Sequence, residues 1–123
     1  MIRDVTDLEV YQESLRLLKQ LYDFLKKIPL SEQDSVRQCK KCGKSIPANI
    51  AEGFGRHSYK EKLQFYYLAQ GSLTELKNSI LIAKDVGYLD SKDFNSLADQ
   101  ANLTHQILQG FIRSTKTFVN HKS

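Results

Sequence analysis

Apolar residues return every three or four positions along most of the chain, in four blocks separated by short joints that are polar or contain glycine or proline. The first block carries Leu8, Tyr11, Leu15, Leu18, Tyr22 and Leu25 in one row, and Val10, Leu17, Leu21, Phe24 and Ile28 in a second beside it. A face this wide must meet more than one neighbour. Thr6 and Glu9 have the spacing of a capping box, and Pro29 disfavours helical backbone in the residue before it, so the pattern predicts a helix over about 7–27.

Ser31 is the expected N-cap of the second helix, with Glu32 and Asp34 where the helix dipole favours negative charge. Its apolar row is Val36, Cys39, Gly43, Ile46, Ile50 and Phe54, and it runs straight through Pro47. Proline inside a helix removes one backbone hydrogen bond and crowds the carbonyl four residues back, here that of Gly43. Because the row keeps its phase on both sides, the pattern predicts one helix over 32–55, kinked at Pro47. The competing reading breaks the helix at Ser45 and puts Pro47 in the first turn of a new one.

Gly55 is the expected C-cap of that helix, with Arg56 and His57 at its negative end. Ser58 and Glu61 then form the clearest capping box in the chain. They open a third helix over 58–86, whose inner side is Leu63, Phe65, Tyr66, Ala69, Leu73, Leu76, Ile80 and Ala83, with Gly87 as its cap. At ~1.5 Å per residue it is about 43 Å long, a length suited to a bundle. Asp90 or Ser91 caps a fourth helix over 91–118, with an inner row of Phe94, Leu97, Ala101, His105, Leu108, Phe111, Ile112 and Thr115. Asn120 to Ser123 should fray.

Short joints between long helices make sequence neighbours pack antiparallel, so the predicted fold is all-α: an up-down-up-down four-helix bundle forming a single domain over 1–123. Val10, Tyr67, Ile82 and Phe118 are left over after one core is filled, which points to self-association.

Composition adds little to the fold and something to the partner. The 123 residues carry 18 Lys and Arg against 14 Asp and Glu, a net charge of +4, which favours polyanionic partners. No apolar run approaches the ~18 residues of a membrane span, and the first residues lack an apolar signal core. Two cysteines are too few for a disulfide framework and fit a reducing compartment, so the expected location is the cytoplasm.

Candidate chemistry was sought among the carboxylates first, because four-helix bundles hold di-iron sites built from Glu and Glu-x-x-His. Here Glu52, Glu61 and Glu75 are followed three residues later by Gly55, Gln64 and Asn78, and the only histidines are His57, His105 and His121. No metal and no cofactor is therefore expected. His105 falls on an apolar row and reads as a core or interface histidine. Cys39 and Cys42 lack two further zinc ligands nearby and read as packed thiols.

Asn49 and Glu52 share one face of the second helix, and Ser72 and Glu75 one face of the third. In an antiparallel hairpin these four approach each other as a structural polar cluster that satisfies buried groups and fixes register. Gly53 and Gly71 would let the two backbones come close. Arg37, Lys40, Lys41 and Lys44 line one outer side of the second helix and, with Arg56, are the candidate nucleic-acid-binding residues. Between residues 37 and 62 there are seven Lys or Arg and two Glu, a local net of +5 in a chain of +4.

Leu8-Glu-Val-Tyr-Gln, Ser45-Ile-Pro-Ala-Asn-Ile-Ala-Glu-Gly with Gly55-Arg56, and Ala69-Gln-Gly-Ser-Leu-Thr-Glu-Leu76 together resemble the small four-helix-bundle proteins encoded by intervening sequences of bacterial 23S ribosomal RNA genes. The resemblance spans nearly the whole chain and implies a ring-like homo-oligomer, typically a pentamer. It extends more distantly to the accessory proteins of diversity-generating retroelements, which use a basic ring to engage reverse transcriptase and nucleic acid. It implies no enzymatic activity and no small-molecule substrate. Cys39-Lys-Lys-Cys-Gly stands where relatives more often carry arginines and alanines. Two functions remain open at this point: a non-enzymatic oligomeric bundle binding RNA or DNA through the basic face, or a protein-protein assembly module with no nucleic-acid role.

Overall fold

The apolar rows close into four helices, α1 (Glu9–Leu25), α2 (Gln33–Phe54), α3 (Tyr59–Asp85) and α4 (Ser91–Lys122), in a computed structural model that describes residues 1–122, with side chains through residue 119. Single 3-10 turns at Val5–Asp7 and Leu30–Glu32 precede α1 and α2. Each helix packs on its sequence neighbour, and α4 returns against α1 to close the bundle. Cross-helix contacts show the antiparallel sense: Lys40 reaches Tyr22, Ser45 meets Ser72, Tyr66 packs on Phe111, and Gln100 reaches Glu13.

The core is built from Leu17 and Leu21 of α1, Ile46 and Ile50 of α2, Tyr66, Leu73 and Leu76 of α3, and Leu108 of α4, all essentially inaccessible to solvent. In α1 the row through Val10, Leu17, Leu21 and Phe24 is buried along its length, and the other row is buried only at Leu8 and Leu25. Leu15, from the other row, is 41% exposed, and Val10, expected at the surface, is 2% exposed. Periodicity alone gives two adjacent rows. Which one faces inward depends on where α2 and α4 lie. Tyr67, Ile82 and Phe118 are exposed, as their position off the inner rows requires.

Pro47 lies buried inside an unbroken α2, so the reading that broke the helix at Ser45 does not hold. Gly43, four residues back, supports the helix in a different way from the one expected. A Cβ there would sit 2.8 Å from Leu21 Cδ2 and 2.9 Å from Leu18 Cδ1, so the glycine is the seat on which two leucines of α1 rest. Gly53 does the same for α3, where a Cβ would lie 2.6 Å from Tyr66 Cε1. Gly71 does not: nothing lies within 4 Å of where its Cβ would be, so it faces open space instead of a neighbouring backbone.

The helix ends differ from expectation at two of the caps. At the first, the carboxylate of Asp7 accepts hydrogen bonds from the Arg3 and Asp4 amides, and Thr6 with Glu9 forms no capping box. The intervening 3-10 turn moves the start of α1 past Thr6. At the second, Ser31 lies within the turn Leu30–Glu32 and caps nothing, because α2 begins at Gln33. The remaining ends follow the sequence. Ser58 Oγ accepts the Glu61 amide at 3.1 Å, and Asp90 Oδ1 accepts that of Asp93 at 2.8 Å. After α3, Gly87 takes φ +90°, and the amides of Tyr88 and Gly87 bond the carbonyls of Ala83 and Lys84, closing a Schellman turn. α4 continues past residue 118 to Lys122, and Ser123 lies outside the described residues.

A polar layer crosses the α1/α4 seam that the apolar rows did not announce. Glu13, only 6% exposed, accepts from Arg16 at 2.9 Å and from Gln100 at 3.3 Å, while fully buried Thr104 donates to the Gln100 carbonyl at 2.8 Å. Every polar group in this layer has a partner, which is what makes its burial tolerable.

The two glycines of contrasting environment give opposite expected outcomes in thermal unfolding. Gly53→Ala forces a methyl group into the ring of Tyr66 and should lower stability by about 1–3 kcal/mol. Gly71→Ala adds a better helix former in open space and should raise stability by up to about 1 kcal/mol.

Candidate functional site

Helix α2 divides its circumference three ways. Val36, Gly43, Ile46 and Ile50 point into the core, Cys42, Ser45 and Asn49 point to α3, and Arg37, Lys40, Lys41 and Lys44 point outward. The division follows from 3.6 residues per turn: positions 37, 40, 41 and 44 share one side, and positions 42, 45 and 49 share another.

The outer side is a line of cations. With Ser45 and Ala48 they border a shallow, open concavity of about 430 Å³. Arg37 pairs with Asp34 one turn earlier, and the Lys40 ammonium sits 5.2 Å from the centre of the Tyr22 ring. Lys41 and Lys44 are exposed and have no carboxylate partner among the described residues. Arg56 is not part of this line. It lies beyond the end of α2, over the Phe65 ring at 4.7 Å and 3.4 Å from Glu52, about 18 Å along the helix axis from Lys44. Lys62, inside the basic region of the sequence, is spent on structure: its ammonium donates to the Phe54 carbonyl at 2.7 Å, closing the C-terminus of α2, and burial lowers its pKa.

The side facing α3 is a chain of small polar groups. Asn49 Nδ2 donates to the Ser45 carbonyl at 2.8 Å and to Ser45 Oγ at 2.9 Å. Ser45 Oγ and Ser72 Oγ share a hydrogen bond at 2.8 Å, and the Cys42 thiol donates to the Ser72 carbonyl at 2.9 Å with Glu75 Oε2 3.6 Å away. Three of the four residues expected in this cluster are thus brought together, joined by Ser45 and Cys42. Glu52 is not among them. It turns outward to Arg56, since a carboxylate gains more from an arginine one turn ahead than from a seam already filled by neutral groups. The spacing of 42, 45 and 49 carried the signal for the two additions, because these positions fall on the row already marked by Asn49.

Burial first, and then the neighbouring Glu75 carboxylate, push the Cys42 thiol up to about 12, so at neutral pH it is a hydrogen-bond donor and not a nucleophile. Burial also raises Cys39, partly offset by a hydrogen bond with Ser79. Among the described residues no three His, Cys, Asp or Glu side chains converge as a metal site would require.

His105 lies in the α3/α4 seam, where its Nδ1 is 2.6 Å from the Lys77 ammonium. An ammonium can only donate, so Nδ1 accepts and the proton is on Nε2, which is buried without a partner. Burial, reinforced by the Lys77 charge, holds His105 below its ordinary value of 6.5.

Together these features describe a small antiparallel four-helix bundle with a basic outer helix face and a polar seam behind it. The chain belongs to the 23S rRNA-intervening sequence protein family, whose model matches residues 6–110. Among solved structures it is similar to a protein of the S23 ribosomal protein family from Bacteroides thetaiotaomicron, described as having unknown function. The TM-score is 0.76 at 20% identity, covering 84% of this chain and 97% of that one. At this identity the likeness speaks for the fold alone. No curated protein matches the chain. Among the described residues no helix is long and apolar enough to cross a membrane.

The state of His105 makes stability depend on pH in a defined direction. Its pKa is lower folded than unfolded, so protonation favours the unfolded chain. Its contribution is complete above about pH 6.5 and is lost as pH falls below that value. The melting temperature should drop between pH 7.5 and pH 5, and His105→Gln should flatten that part of the profile while leaving the profile above pH 7.5 unchanged in slope.

Proposed function

We propose that the protein is a non-enzymatic, homo-oligomeric helical bundle of the cytoplasm that contacts RNA or DNA phosphates through the outer face of α2. The observation that carries this reading is the alignment of Arg37, Lys40, Lys41 and Lys44 on a rigid helix beside an open concavity. Three of the four have no carboxylate competing for them among the described residues. Such a line neutralises phosphates without reading bases, so the expected binding is tight at low salt and indifferent to sequence. Membership in a family tied to the 23S rRNA-intervening sequence is consistent with an RNA partner.

Self-association is supported by the outer face of α3, where Tyr67, Leu68, Leu81 and Ile82 are each 44–56% exposed. These form two exposed apolar pairs, separated by exposed Thr74, Glu75 and Asn78, of the kind that association covers. The pentameric ring implied by the family resemblance would repeat the α2 line around the assembly and multiply its charge. The same exposed apolar face favours the second reading, a protein-protein assembly module in which the basic line is only a solvated surface.

Salt dependence separates the two. In fluorescence anisotropy with a short RNA or DNA duplex, the logarithm of affinity should fall linearly with the logarithm of salt, with a slope of about −2 to −4 for each α2 line engaged. Lys40→Glu with Lys41→Glu and Lys44→Glu should abolish binding while leaving the light-scattering mass unchanged. Absence of binding at low salt would leave the assembly module, and a monomeric mass would remove the ring.

A further inference from the structure

The end of the bundle where α1 and α3 finish and α2 begins is not closed by the core. An apolar cavity of about 450 Å³ opens there, walled by Phe24 of α1, Ile28 just after it, Val36 of α2, Ile80 and Ala83 of α3, and Val86 at the end of α3. Glu32 and Asp34 stand among its lining, and no Lys, Arg or His does. Tyr88, from the joint after α3, donates to Glu32 Oε1 at 2.9 Å and pins that carboxylate beside the opening.

We propose that this cavity is a binding site for an amphiphilic cation, an alkylammonium-like molecule whose chain fills the apolar volume while its ammonium meets Glu32. The volume lies within the range of small-molecule sites, far above the voids of an ordinary packed interior. Ile82 and Val86, 54% and 57% exposed at its margin, would be covered by the bound chain. The charge of the head follows from the lining. Asp34 is already partnered by Arg37, but Glu32 has no cationic side chain beside it among the described residues and accepts from the neutral phenol of Tyr88, so a negative head would be repelled by its carboxylate and a positive head would complete an ion pair. This selectivity runs opposite to the positive net charge of the whole chain, which would favour anionic amphiphiles on any nonspecific surface. The cavity lining contains none of the four cations of the α2 basic line, and Glu32→Gln leaves the Arg37–Asp34 pair intact, so the two readings fail independently.

Isothermal titration with hexyl-, octyl- and decylammonium below their micelle concentrations, against the matching alkanoates, tests the assignment. The expected result is saturable binding at one molecule per chain, strengthening by about fourfold for each added methylene until the cavity is filled. The alkanoates should bind more weakly. Glu32→Gln should weaken the ammonium series about three- to fivefold and narrow the gap to the alkanoates. Ala83→Phe, or Ser79→Leu should the first not fold, fills the cavity and should abolish binding with the helical circular dichroism retained. Alkanoates binding as tightly as ammoniums, uptake that does not saturate, no binding of either series, or binding undiminished in a folded cavity-filling variant would each overturn the proposal.

Discussion

Two helices can approach only as closely as the side chains between them allow, and α2 meets both of its neighbours through glycines. At Gly43 the leucines of α1 occupy the space a Cβ would need, and at Gly53 the ring of Tyr66 does. Tyr66 in turn packs on Phe111 of α4, with ring centroids 4.7 Å apart, so the Gly53 contact is transmitted across the bundle. A methyl group at that one position would displace the largest fully buried side chain in the protein. The close approach also brings the α2 and α3 backbones near enough for Ser45 to reach Ser72 and for the Cys42 thiol to reach a carbonyl of the opposite helix.

These short polar contacts, and the Glu13–Gln100–Thr104 layer on the other side of the molecule, act on register more than on stability. Apolar packing between parallel rows of leucine and isoleucine tolerates a slip of one helical turn. A hydrogen-bonded seam does not, because a slip would leave several buried donors and acceptors without partners. Each seam is filled mostly by neutral groups. Where a charge is buried, as in Glu13, an arginine one turn away shares it.

With the inner sides of α2 committed to packing and register, its charges are confined to the outside. That confinement is what turns a scattering of lysines in the sequence into a line on a rigid surface. The opposite sign collects at the mouth of the cavity, where Glu32 and Asp34 lie at the start of α2 near its positive dipole end. One helix therefore carries an acidic start and a basic flank.

The sequence by itself determined the number of helices, the inner rows of α2, α3 and α4, the continuity of α2 through Pro47 and most of the caps, because helical periodicity and cap chemistry are properties of neighbouring residues. It also placed the basic line, since residues three and four apart share a helix face whatever the helix packs against. The tertiary structure decided the matters that depend on residues far apart in the chain. It chose which of two apolar rows of α1 faces inward, burying Val10 and exposing Leu15. It left Glu52 outside the α2/α3 seam, which Cys42, Ser45 and Asn49 of α2 and Ser72 of α3 fill across the two helices. It gave Gly53 a neighbour and Gly71 none, though both are glycines in a helix. The cavity between α1, α2 and α3 was out of reach of any pattern along the chain, because an unfilled volume has no residues of its own and exists only as the distance between three helices.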